Sequence, residues 1–295
     1  MGVEKMGAAQ WLLPAMGVLF LLMTAGCLGD GAAPAENGPI PVAVTIPPQA
    51  EFVRAIGGER VDVMVLVPPG ANPHTYELTP GQMAALGEVR MYAAVGSGIE
   101  FERAWMAKIA GVNPGMHVVN CSEGLTFLAG DEEEGGTDPH VWLSVQNAGV
   151  MVENICAGLV AIDPADAAYF EANRDGYLDE LRALDAGIAA SLAGREGEAI
   201  MVYHPSWAYF ARDYGLVQIP IEDEGKEPGP QGIERLILQA TAENITVVFA
   251  SPEYSTKSAR VIADAIGGRV ALVSPLEENY TANMRNVAAA FGGAV

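Results

Sequence analysis

The chain has 295 residues, half of them hydrophobic, with 16 basic against 37 acidic side chains and a net charge of −21. An acidic surface of that size repels nucleic acid and anionic membrane surfaces, which argues against both as ligands of the folded part. It is compatible with cation capture, and the length accommodates two domains of ordinary size.

Lys5 precedes an apolar run from Trp11 to Met23, and Thr24-Ala25-Gly26-Cys27 then places small residues before a cysteine. This has the form of a signal peptide over residues 1–26 ending in a lipobox, with cleavage before Cys27 and lipid attached to its sulfur. The run is too short and too early to be read first as a transmembrane helix, and the alternative is an uncleaved anchor or an ordinary signal peptide. Residues 27–39 are small, polar and rich in breakers, as a tether between membrane and domain should be. The expected location is therefore extracytoplasmic, on the outer face of the cell membrane, or periplasmic where an outer membrane exists.

From Ile40 the chain alternates short apolar runs with amphipathic stretches, the signature of a parallel sheet covered by helices. Strands are predicted over 41–46, 61–67, 90–95 and 117–120, and helices over 49–56, 80–87 and 101–109, giving an N-terminal α/β lobe over residues 40–162. A further helix should begin near Ser144. Asp163-Pro164 reads as an N-cap with an N1 proline, and no proline interrupts the helical spacing that follows, so a long linking helix is predicted within 163–194. The alternation then restarts in a C-terminal lobe over 195–295. Its strands are predicted over 199–203, 217–219, 247–250 and 270–273, and its helices over 206–214, 232–243, 257–266 and 280–291. The fold class is thus α/β, two lobes with mostly parallel sheets flanked by helices and joined by one rigid α-helix.

Three of the four histidines sit beside a proline, in Asn72-Pro73-His74-Thr75-Tyr76-Glu77, Asp138-Pro139-His140-Val141-Trp142 and Tyr203-His204-Pro205-Ser206-Trp207. With proline at about one residue in twenty, chance would give a histidine such a neighbour about one time in ten, so the pattern points to imidazoles held on stiffened backbone. Stiff presentation suits a metal site. All three follow strands or breaker-rich loops, where an open α/β sheet places its ligands. His117 lies inside a predicted strand without such a neighbour and is read as structural. A fourth ligand should be a carboxylate, and Glu277 and Glu278, beyond the last strand, are the candidates. Glu222, Asp223 and Glu224 form a rival cluster whose ordinary reading is a solvated loop, and Glu77 lies close to His74. Cys121 and Cys156 have no metal-ligand spacing; a disulfide and two buried thiols are equally open.

These phrases carry a family resemblance. The Pro-His-x-Tyr-Glu phrase at His74, the Asp-Pro-His-x-Trp-Leu phrase at His140, His204 before an aromatic helix, and Tyr280 to Asn286 resemble the zinc- or manganese-binding lipoproteins of ABC metal importers. The resemblance runs from Cys27 to the end and implies two α/β lobes joined by a long helix. By it, His74 and His140 would be ligands from the first lobe, with His204 and Glu277 or Glu278 from the second. The family's C-terminal aspartate is not present as an aspartate here, so water is the alternative at that corner. Relatives that prefer manganese tend to carry a carboxylate where this chain has His204, so Zn(II) is expected ahead of Mn(II) or Fe(II). Where many zinc-binding relatives carry a histidine-rich loop, this chain has Asp131-Glu132-Glu133-Glu134, read as a solvated loop or a weak metal collector.

The function implied is a monomeric, non-catalytic carrier that delivers metal to a permease and its ATPase. Two other classes remain open: a zinc-dependent hydrolase with Glu77 as base, for which no His-Glu-x-x-His phrase is present, and a surface adhesin.

Overall fold

A computed structural model describes residues 38–130, 136–222 and 225–293. The signal and tether expectations, Cys27, the acidic run from Asp131 to Glu134, and Asp223 and Glu224 lie outside the described residues.

The first sheet is built from β1 (Ile40–Val44), β2 (Val61–Val65), β3 (Met91–Ala94) and β4 (His117–Asn120), all parallel, in the order β2-β1-β3-β4. Between these strands run α1 (Pro47–Gly57), α2 (Pro80–Ala85) and α3 (Glu100–Val112), and α4 (Val145–Ile162) follows β4. The second sheet repeats the plan with β5 (Ala199–Val202), β6 (Val217–Pro220), β7 (Val247–Ala250) and β8 (Arg269–Leu272), parallel in the order β6-β5-β7-β8. Its helices are α6 (Ala208–Tyr214), α7 (Pro230–Ala242), α8 (Lys257–Ile266) and α9 (Tyr280–Phe291). In each sheet the order reverses beside the first strand, and the crevice beyond the strand ends at such a point is where open α/β folds receive ligands.

The helix between the lobes, α5, runs from Ala167 to Leu192. It begins where the sequence places it, but its first turn is not α-helical. Asp163 stands at φ −143° with no side-chain cap, and Pro164–Asp166 form a single 3-10 turn before the α-helix begins. Its 26 residues span about 39 Å at 1.5 Å per residue. Tyr177, Leu181, Leu184 and Ile188 form the buried stripe of this helix, at the spacing of one helical face.

That stripe joins a hydrophobic core that is continuous across the lobes, containing Val42 and Phe52 from the first and Phe210, Phe249 and Phe291 from the second. Polar ties follow the same seam. The Trp142 indole N–H donates to the Pro275 carbonyl at 2.8 Å, and the Tyr280 hydroxyl donates to the Trp142 carbonyl at 2.9 Å. The Tyr209 hydroxyl donates to the Asp138 carbonyl at 2.8 Å, so the backbone on both sides of His140 is held from the second lobe. Cys121 and Cys156 are buried free thiols.

Candidate metal centre

Each of the three histidines is fixed by backbone chemistry legible in its neighbours. Asn72 Oδ1 accepts the His74 N–H at 2.8 Å, and Asp138 Oδ1 accepts the His140 N–H at 2.9 Å. Both are Asx turns closed around a proline, whose fixed φ leaves the two flanking residues little freedom. His204 is held by the sheet. The ladder continues past β5 and β6, with Ile221 N–H donating to Val202 and Glu222 N–H to Tyr203 at 2.8 and 2.9 Å, and this register carries His204 and Glu222 to the same level.

The imidazoles converge. One nitrogen from each of His74, His140 and His204 lies within 4.8 Å of the other two, the single such group of possible metal ligands among the described residues. Nε2 of His140 and Nε2 of His204 are 3.2 Å apart. Tetrahedral zinc with Zn–N bonds of about 2.0–2.1 Å sets its donors about 3.3 Å apart, so this pair already has the spacing and His74 needs only a small approach. Nε2 of His74 is buried without a hydrogen-bond partner. Buried polar atoms are rarely left so, and a cation held among the three rings would satisfy this one.

The opposite nitrogen of every ring faces a carboxylate. Asp138 Oδ1 lies 2.8 Å from His140 Nδ1, Glu222 Oε2 lies 2.7 Å from His204 Nδ1, and Glu100 Oε2 lies 2.8 Å from His74 Nδ1. With Nδ1–H directed at Asp138 and Glu222, the Nε2 lone pairs of His140 and His204 turn inward, and the basicity of those rings rises. Two inward lone pairs at 3.2 Å repel one another unless a cation or a proton lies between them.

Burial keeps His204 ready for metal. Desolvation, reinforced by His140 and His74, holds His204 well below the ordinary histidine range, so it is neutral at neutral pH with a lone pair free to bind a cation. Burial alone would raise the Glu100 carboxyl, but the hydrogen bond and charge of His74 outweigh it, and the net direction is down. Tyr254 lies flat against His204, with ring centroids 4.6 Å apart and planes at 19°.

The other expected residues stand elsewhere. Glu278 pairs with Arg54 at a part-exposed position, and Glu277 is exposed on the loop after β8, outside the group of converging nitrogens. Glu222, read in the sequence as part of a rival acidic cluster, orients His204 from behind. Glu77 is exposed, and His117 is exposed on the edge strand β4. Glu100, absent from the sequence reading, opens α3 at the end of the Gly96-Ser97-Gly98 turn after β3. Its place beyond the carboxyl end of an inner strand is the one signal that pointed to it.

The family model of zinc-uptake complex component A, periplasmic, matches residues 42–294. The high-affinity zinc uptake system protein ZnuA of Bacillus subtilis is 28% identical over 275 residues, covering 87% of this chain and 85% of its own. A crystal structure of a ZnuA deletion mutant with zinc bound is 40% identical, with a TM-score of 0.82, covering 87% of this chain and 98% of that one. The structure of the metal-dependent lipoprotein YcdH from Bacillus subtilis is 27% identical, with a TM-score of 0.74, over 86% of this chain and 98% of that one.

Proposed function

Because the chain belongs to the family of periplasmic zinc-uptake component A proteins, we propose that it is an extracytoplasmic solute-binding protein that captures one Zn(II) ion between its lobes and delivers it to the permease of an ABC importer. One observation carries this reading: three inward imidazole nitrogens within 4.8 Å, each ring backed by a carboxylate.

The mechanism of capture follows from those contacts. His74 and His140 come from the first lobe and His204 from the second, so the ion closes the crevice as it is bound. The carboxylates of Asp138 and Glu222 hold the Nδ1 protons of their rings and Glu100 stands beside Nδ1 of His74, leaving the three Nε2 atoms to ligate. Their combined negative charge, one layer behind the rings, offsets the charge of the cation. Three imidazoles suit Zn(II) better than Mn(II) or Fe(II), which favour oxygen-rich sites.

The fourth corner falls to water or to Glu277, which would have to move inward from its exposed position to reach the ion. Glu278 is engaged by Arg54, whereas Glu277 is exposed on the same loop and near enough to Glu253 to act on its carboxyl. If Glu277 closes the site, four protein ligands give affinity without a vacancy for substrate, which fits a carrier rather than a catalyst. Lipid on Cys27, action as a monomer, and docking to a permease powered by an ATPase complete the proposal.

Zinc-edge X-ray absorption on the loaded protein tests it. Three imidazole nitrogens at about 2.0–2.1 Å with one oxygen donor are expected. A sphere containing sulfur, or a single imidazole, would contradict the ligand set.

A further inference from the structure

The loop between β7 and α8 touches the metal centre through an aromatic ring. Tyr254 stacks on His204 at 4.6 Å and 19°, while the rings of His74 and His140 meet His204 edgewise, at 70° and 75°. The Glu222 contact fixes Nδ1 of His204 at one point, and a ring held at one point still rocks about that contact. A flat aromatic face against the imidazole plane removes that motion.

The loop is itself anchored. Tyr254 N–H closes a turn onto the Ser251 carbonyl at 3.2 Å, and the Glu253 carboxylate accepts the hydroxyls of Ser251 and Ser274, the latter at 2.6 Å. Ser274 Oγ also accepts the Leu276 N–H at 3.0 Å, directly before Glu277. One short loop therefore spans from the face of His204 to the segment that carries Glu277.

We infer that Tyr254 is a positioning residue of the metal centre, setting the plane of His204 by stacking and thereby slowing release of the ion. The inference rests on the three-histidine reading and adds a residue to it. The aromatic face carries this role.

The test compares Tyr254→Phe, Tyr254→Leu and Tyr254→Ala in the full-length protein, measuring zinc release to a chelator and the visible spectrum of the cobalt-loaded form. Phe should keep wild-type release and spectrum. Leu and Ala should release zinc roughly three- to tenfold faster, the size expected for loss of one aromatic stack, with a shifted cobalt spectrum and an unchanged far-ultraviolet dichroism. If Ala disturbs folding, Leu decides, since it keeps bulk without a flat face. Wild-type release from Leu, or a loss in Phe equal to that in Ala, overturns the inference. His140→Ala run in parallel separates the two claims: undiminished zinc capture by that variant counts against the metal centre itself, whatever Tyr254 does.

Discussion

Glu222 Oε2 lies 2.7 Å from His204 Nδ1, and both side chains are only 8% exposed. A carboxylate and an imidazole removed from water at that distance act as one unit, the acid fixing the tautomer and direction of the base. Glu222→Gln keeps the shape and loses the charge. Zinc affinity should fall about 10- to 100-fold, with the fold unchanged, measured by competition with a chromophoric chelator. An unaltered affinity would mean that His204 needs no orienting partner.

The Asx turns before His74 and His140 should matter through geometry alone. Asn72→Ala removes the acceptor of the His74 N–H without touching the metal. Zinc dissociation should quicken several-fold, while Asn72→Asp, which restores the acceptor, should behave as the wild type in stopped-flow release.

The depressed His204 gives the metal-free protein a pH-dependent stability of definite sign. Its folded pKa lies below the unfolded value of about 6.5, so the unfolded chain binds the extra proton first. The contribution is complete above about pH 6.5 and is lost as pH falls through the folded value. Thermal melts of chelator-treated protein should therefore drop between neutrality and mild acid, and His204→Gln should flatten that part of the curve. An equal slope in the variant would assign the titration to another group.

Trp142 ties the turn after His140 to the second lobe. Trp142→Phe keeps most of the ring and leaves the Pro275 carbonyl without its donor, at a cost of about 1–3 kcal/mol in urea unfolding. Zinc release should also quicken, because the His140 turn loses part of its hold on the opposite lobe. Unchanged stability would show that the carbonyl finds another donor.

The parts of this molecule legible in its sequence are those governed by local chemistry. Proline beside each of His74, His140 and His204 marked the stiff turns, and alternating apolar runs marked eight parallel strands. The carboxylates behind the rings were harder to see because their partners are distant in the chain. Glu222 meets His204 through strand register, and Glu100 meets His74 only when β3 and the loop after β2 lie side by side. Asp138 was visible inside its phrase, but its hold on the imidazole depends on how the turn closes. The long helix begins where Asp163-Pro164 placed it, with Asp163 at the N-cap position, but its first turn is 3-10 and Asp163 makes no side-chain cap.

The central claim is that this site selects zinc through three imidazoles. Competitive titration of metal-free protein with Zn(II), Mn(II) and Fe(II), repeated on His204→Ala, tests it most directly. The account predicts one zinc per chain, bound more tightly than manganese or iron, with a loss in the variant exceeding the about 10- to 100-fold expected for an outer-shell partner such as Glu222. Tighter manganese binding by the wild type, or zinc affinity indifferent to His204→Ala, would contradict it.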